Sequence, residues 1–142
     1  MISFLTEKIK MPRLDRKAVR AWITAVAATY DGRKVGNLNY IFCNDDRILE
    51  VNKEFLGHDY YTDIITFDYS EPGKVSGDMF ISIETVETNS FKFHTSYDKE
   101  LLRVIIHGVL HLCGINDKGP GERAVMEAAE EKALNMWYMK QF

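Results

Sequence analysis

The chain has 142 residues, 46% of them hydrophobic and 27% charged. That is enough to bury the core of one domain, taken as residues 1–142, and is unlike a disordered or low-complexity chain. A formal net charge of −3 excludes a bulk electrostatic attraction to nucleic acid, and no apolar run approaches the roughly 20 residues needed to cross a bilayer. The N-terminus, MISFLTEKIKMPRLDRK, has only a short apolar start and no small-residue cleavage site, so no signal peptide is expected and the expected location is cytoplasmic.

Residues 2–5 read as a short strand. Asp15 is placed to cap a helix running to about Tyr30, with Val19, Trp22, Ile23 and Val26 at helical spacing and Gly32 as a stop. The cations Lys8, Lys10, Arg13, Arg16, Lys17 and Arg20 face only Glu7 and Asp15. A solvated helix surface is the favoured reading, and a phosphate contact the other. Leu38 to Phe42 reads as a strand, and Asn44 or Asp45 caps a helix through Ile48, Leu49 and Phe55 that Gly57 ends.

The period then changes. Thr62 to Tyr69 is β-branched and aromatic, as strands are. Glu71-Pro72-Gly73 supplies a turn, and Gly77 to Ile83 follows as the partner strand of a hairpin. A short helix from about Glu84 to Phe91, a strong one from Ser96 to Cys113 and a last one from Gly121 to Tyr138 complete the chain. The expected fold is α+β, a small mixed sheet packed against helices. Cys43 and Cys113 are expected to be buried free thiols, small hydrophobes in their segments.

The Ser96–Cys113 helix is apolar around most of its circumference, the mark of a buried helix. Its polar residues Glu100, Arg103, His107 and His111 fall on one line, since residues three and four apart share a face. Gly108 removes side-chain bulk beside the imidazoles, Gly114 is placed for a left-handed turn, and Asp117 returns three residues later. Two imidazoles on adjacent turns and a carboxylate after a tight turn make a three-ligand site with room for water. They suit one zinc ion, with nickel, cobalt, manganese or iron as other divalent choices. Such an ion lowers the pKa of its water to around 7. The plain alternative is a pair of core histidines bonded to backbone or to Glu100. A metzincin-like metalloprotease has the same ligand spacing but needs a glutamate general base where this chain has Gly108. An iron oxygenase lacks its array of strands.

The segment His107-Gly-Val-Leu-His111-Leu-Cys-Gly114-Ile-Asn-Asp117 resembles the signature HGxLHLxGYDH of the YbeY family of bacterial endoribonucleases and ribosomal RNA maturation factors. Asn52-Lys-Glu-Phe55 followed by Asp59-Tyr-Tyr-Thr62-Asp63-Ile-Ile-Thr-Phe67 resembles that family's LNxxYRxxDxPTDVLSF segment. Gly77 to Ser82 resembles its GDI-I-S strand, and Met126 with Glu130 fits the helix after the metal motif. The resemblance runs in order from about Leu49 to Glu130 and implies a zinc-dependent, single-strand-specific endoribonuclease. Its implied role is in maturing the 3′ end of small-subunit ribosomal RNA and in ribosome quality control. Implied partners are ribosomal RNA and the small subunit, with ribosomal proteins or an assembly GTPase beside them and no membrane. His107 and His111 match the first two ligands, and Asp117 stands where most members have His, which adds negative charge and weakens the ion as a Lewis acid. Leu56 replaces the family's Arg, a fixed phosphate donor, so Lys53, His58 or Arg103 are the candidate stand-ins. Tyr61 replaces a Pro. Tyr60 or Tyr61 could stack a base, although packing is the favoured role for both. Asp63 is a candidate to orient a ligand imidazole or to form a turn, and no residue stands out as general base. A second reading makes the chain a ribosome-assembly binding factor whose metal is mainly structural.

Overall fold

The computed structural model describes residues 1–58 and 62–142. Its elements are β1 (Ile2–Thr6), α1 (Arg16–Ala28), β2 (Lys34–Cys43), α2 (Asp45–Leu56), β3 (Ile64–Asp68), β4 (Lys74–Ser82), α3 (Ile83–Lys92), α4 (Tyr97–Leu112) and α5 (Glu122–Tyr138). The strands form one mixed sheet in the order β1-β2-β4-β3. β1, β2 and β4 run parallel, and β3 pairs antiparallel with β4 as the predicted hairpin. The α+β expectation therefore stands.

Local chemistry accounts for the boundaries. The Asp15 carboxylate accepts from Ala18 N at 3.1 Å, and the Asn44 side chain accepts from Arg47 N at 2.9 Å, each satisfying a helix-start amide. Gly57 ends α2 in the left-handed region at φ 67°, where a glycine pays no Cβ penalty. Two strands are longer than predicted. β2 begins at Lys34 and β4 at Lys74, because Lys34 and Val35 pair with Lys74 and Val75 on the far side of an irregularity between Val35 and Leu38. Gly36 and Asn37 interrupt the alternation there and hide the extension. Thr62 and Asp63, expected inside β3, precede it.

Strand alternation gives the sheet two different faces. One carries Ile2, Phe4, Leu38, Tyr40, Phe42, Met79 and Ile81 into the main core with α1, α4 and α5. The other carries Cys43 and Ile65 against Ile48 and Val51 of α2, with Phe67 and Phe80 alongside. Two buried side chains add cross-links: Trp22 Nε1 donates to the Ala133 carbonyl at 2.8 Å, joining α1 to α5, and the Tyr40 hydroxyl donates to the Ile105 carbonyl at 3.1 Å, joining the sheet to α4. Both cysteines are free and buried, as expected. Among the described residues no helix is long and apolar enough to cross a membrane.

Candidate metal centre

Helix α4 sits in the middle of the molecule, and its sequence explains why. Ser96 caps it, accepting from Lys99 N at 3.1 Å, and Leu101, Leu102, Val104, Ile105, Ile106, Val109, Leu110 and Leu112 are all buried. Gly108 is the point of closest approach to the sheet. A Cβ there would lie 2.4 Å from Met79 Sδ and 3.0 Å from Ile64 Cδ1. The glycine that denies a metzincin its base is thus set by helix-to-sheet packing. Any side chain at that position requires Met79 to move.

The helix ends in a Schellman motif. Gly114, at φ 95°, donates its N–H to His111 O at 3.0 Å, and Ile115 donates to Leu110 O at 3.1 Å. This turn folds the chain back so that Asp117 Oδ2 stands 3.3 Å from His107 Nε2. Two of the three predicted ligands are therefore brought together. His111 lies one turn beyond His107 on the same helix, with an exposed side chain. Among the described residues, no three His, Cys, Asp or Glu side chains converge closely enough to enclose an ion.

The His107–Asp117 pair alone has the spacing of two ligands on one tetrahedral ion. Two ligands bound at roughly 2.1 Å to one such ion stand about 3.4 Å apart, close to the separation of His107 Nε2 and Asp117 Oδ2. The other nitrogen of the ring is occupied in the manner such a ligand requires. His107 Nδ1 donates to Glu130 Oε2 at 2.6 Å. The imidazole thus points one nitrogen at a buried carboxylate on α5 and the other at Asp117.

Glu130 was placed in the sequence only as part of a matching helix. The signal for its role lies in α5 itself. Met126, Ala129, Glu130, Ala133 and Leu134 are its buried residues, an apolar stripe with one glutamate inside it. A carboxylate on such a stripe needs a partner across the interface.

Arg103 is that partner across the interface. Its Nε and Nη2 donate to Glu100 at 2.9 and 2.5 Å. Its Nη1 donates to Glu130 at 3.2 Å, and Asp63 Oδ2 lies 3.8 Å from Nη2. A guanidinium held by three carboxylates has few donors left for phosphate. Glu100, offered as a bonding partner for a core histidine, serves Arg103 instead. Asp63 pairs with Arg103, while the carboxylate that bonds the His107 ring is Glu130. Lys53, in the last turn of α2, and His58, just beyond Gly57, both have exposed side chains. Tyr60 and Tyr61 lie outside the described residues, as does Asp59. Phe55 and Leu56 are exposed, and the Phe55 ring meets Phe67 edge-on at 5.8 Å between centroids.

The charges reinforce one another. Burial pulls the His107 pKa down, but the Glu130 hydrogen bond and the charges of Glu130, Asp117 and Asp63 outweigh it and leave it raised. Burial raises the Asp63 carboxyl, with Arg103 and His107 opposing. The Arg103 guanidinium is held charged, chiefly by its bond to Glu100. Carboxylates outnumber cations here, which favours a bound cation at the open side of His107.

Residues 1–138 match the family model described as Endoribonuclease YbeY. A protein of that name from Bacteroides fragilis is 63% identical over 135 residues, covering 95% of this chain and 96% of its own. One from Phocaeicola vulgatus is also 63% identical, over 134 residues that cover 94% and 96%. One from Porphyromonas gingivalis is 52% identical, covering 95% and 89%. Among solved structures, the solution structure of TM1509 from Thermotoga maritima superposes with a TM-score of 0.68 at 29% identity, covering 99% of this chain and 91% of that one.

Proposed function

Because the chain belongs to the YbeY endoribonuclease family, we propose that it is a metal-dependent nuclease. It cuts single-stranded RNA during maturation of the 3′ end of small-subunit ribosomal RNA, in the cytoplasm, where ribosomes assemble. The observation that carries this reading is the 3.3 Å approach of His107 Nε2 to Asp117 Oδ2, at positions where the sequence matches the family's ligand motif. The metzincin and oxygenase readings fall with family membership, and the packing around Gly108 supplies the physical reason for the first.

His107, His111 and Asp117 are the residues that would hold the ion, with zinc the best match to two imidazoles and a carboxylate. When bound, a zinc ion supplies Lewis acidity toward a phosphoryl oxygen and an ionisable water. The remaining work belongs to the chain. Glu130 fixes the His107 ring, Arg103 holds Glu130, and the rigid Gly114 turn delivers Asp117. With Leu56 in place of the family Arg and the Arg103 guanidinium bonded to carboxylates, the exposed Lys53 and His58 side chains are the other candidates for contacting phosphate.

The engagement of Arg103 by carboxylates, with Leu56 in place of the family Arg, favours a second reading, a ribosome-assembly binding factor whose metal is mainly structural, with ribosomal proteins or an assembly GTPase as partners. Elemental analysis of wild type beside His107→Ala/His111→Ala, followed by cleavage assays on single-stranded RNA, separates the two. The nuclease reading expects near-stoichiometric zinc and RNA cleavage by wild type, with both lost in a folded double variant. Stoichiometric zinc without cleavage, and early melting of the double variant, would move the function to assembly. No zinc uptake by wild type at neutral pH would remove the metal from either reading.

A further inference from the structure

The described residues contain a continuous polar chain that runs from the core outward: Glu100, Arg103, Glu130, His107 and then Asp117. Glu100 is 1% exposed and Glu130 4%, so neither carboxylate is a surface residue that drifted inward. Their bonds have a direction. Arg103 carries only donors and a carboxylate only acceptors, so Glu130 must accept from both of its neighbours. Its Oε1 takes Arg103 Nη1 at 3.2 Å, and its Oε2 takes His107 Nδ1 at 2.6 Å.

We infer that Glu130, oriented by Arg103, is the positioning residue that keeps the His107 proton on Nδ1 and so leaves the Nε2 lone pair free for a divalent cation beside Asp117. The inference rests on His107 being a metal ligand, and it adds what makes it one. A neutral imidazole offers a lone pair at only one nitrogen, and the bond made by the other nitrogen decides which. Glu130 accepts, so Nδ1 donates and Nε2 is bare. The residue acts through His107 and need not touch the ion.

The arrangement makes an unusual demand of the isosteric variant Glu130→Gln. Arg103 Nη1 reaches both carboxylate oxygens but lies nearer Oε1, at 3.2 Å against 3.4 Å to Oε2, so the carboxamide oxygen turns to the Oε1 side. The amide NH₂ then faces His107 Nδ1 as a donor. The ring must accept at Nδ1, and its proton moves to Nε2, where it blocks the ligand position. A side chain that merely filled space would leave the tautomer alone.

The test uses zinc as probe and ¹⁵N NMR of the histidine rings in metal-free full-length protein, at a pH alkaline enough for a neutral His107. Wild type is expected to show a protonated Nδ1 and a bare Nε2, Glu130→Gln the reverse. Zinc affinity, from competition with a chromophoric chelator, is expected to fall about 10- to 100-fold in Glu130→Gln. A proton on Nε2 in wild type overturns the inference with no variant needed. So does a Glu130→Gln protein with its proton still on Nδ1, or with zinc affinity within twofold of wild type. Failure of the metal reading looks different: His107→Ala then binds zinc as tightly as wild type, whatever the tautomer.

Discussion

Arg103 and Glu130 meet across the interface of α4 and α5, with Nη1 3.2 Å from one carboxylate oxygen and 3.4 Å from the other. The same guanidinium holds Glu100 on its own helix, so one cation neutralises two buried carboxylates. Removing it strands Glu100 and leaves Glu130 with its His107 bond. Arg103→Ala is expected to lose about 3–5 kcal/mol of stability, the usual cost of leaving a buried charge without its partner. Adding Glu100→Gln should return part of that loss, since a neutral amide is less costly to leave unpaired. Denaturant unfolding of the metal-free proteins measures both.

The raised pKa of His107 sets a pH dependence with a definite sign. The folded chain binds the His107 proton more tightly than the unfolded chain does, so the stabilisation is fully present below the ordinary histidine value of about 6.5. It is lost as pH rises through the folded value. Asp63, also raised, acts in the same direction within the carboxylate range. Metal-free wild type should therefore lose stability as pH rises above about 6.5, whereas His107→Gln should show no such slope. Zinc competes with a proton at Nε2, so zinc affinity should climb over the same window. Unfolding midpoints in the presence of a chelator, and zinc titrations at matched pH, read the two opposed trends.

Gly108 gives a packing prediction. Any Cβ at that position meets Met79 Sδ at 2.4 Å and Ile64 Cδ1 at 3.0 Å. Gly108→Val adds three carbons to that contact and gains nothing in rotamer freedom. It is expected to cost about 1–3 kcal/mol from overpacking. Met79 is fully buried, so Met79→Ala has its own cavity cost, but Gly108→Val/Met79→Ala should lose less than the two single variants added together. Strict additivity of the denaturation free energies would mean that backbone displacement and not the Met79 contact sets the cost.

How much of this was legible in the sequence depended on whether a contact is local. All nine elements announced themselves through caps, glycines and period, and the Asn44, Asp15 and Ser96 caps sit where the sequence put the helix starts. The His107–Asp117 approach was legible because one helix turn and one glycine turn determine it. The Glu130 bond was not, because it joins helices whose relative placement only the packed core defines. The misplaced starts of β2 and β4 have a similar origin. Lys34 and Lys74 are extended because they pair with each other, and neither segment alternates enough on its own to show it.

Helices α2 and α3 lock each other at their starts. The Asp45 carboxylate accepts from the Ser82 and Thr85 hydroxyls, both at 2.5 Å, while Asp45 N donates to Glu84 Oε1 at 2.8 Å. Asp45→Ala removes two hydrogen bonds to a charged acceptor and is expected to cost about 2–3 kcal/mol. Asp45→Asn should cost less, because its amide oxygen still accepts from both hydroxyls. Thermal melts of the two variants rank them, and equal losses would rule out acceptance by that oxygen as the source of the effect.

The strand order β1-β2-β4-β3 also fixes the tempo of assembly. The β3–β4 ladder is local and closes through one turn, but the β1–β2 and β2–β4 ladders join parallel strands separated by whole helices. Parallel pairs of that kind must pay for long loop closure before any contact rewards them, which slows folding. Met79 and Ile64, on which α4 rests at Gly108, both belong to the local β3–β4 hairpin, and Met79 also joins the slower β2–β4 ladder. The patch of sheet that receives α4 therefore needs only one turn to close, before the parallel ladders are complete.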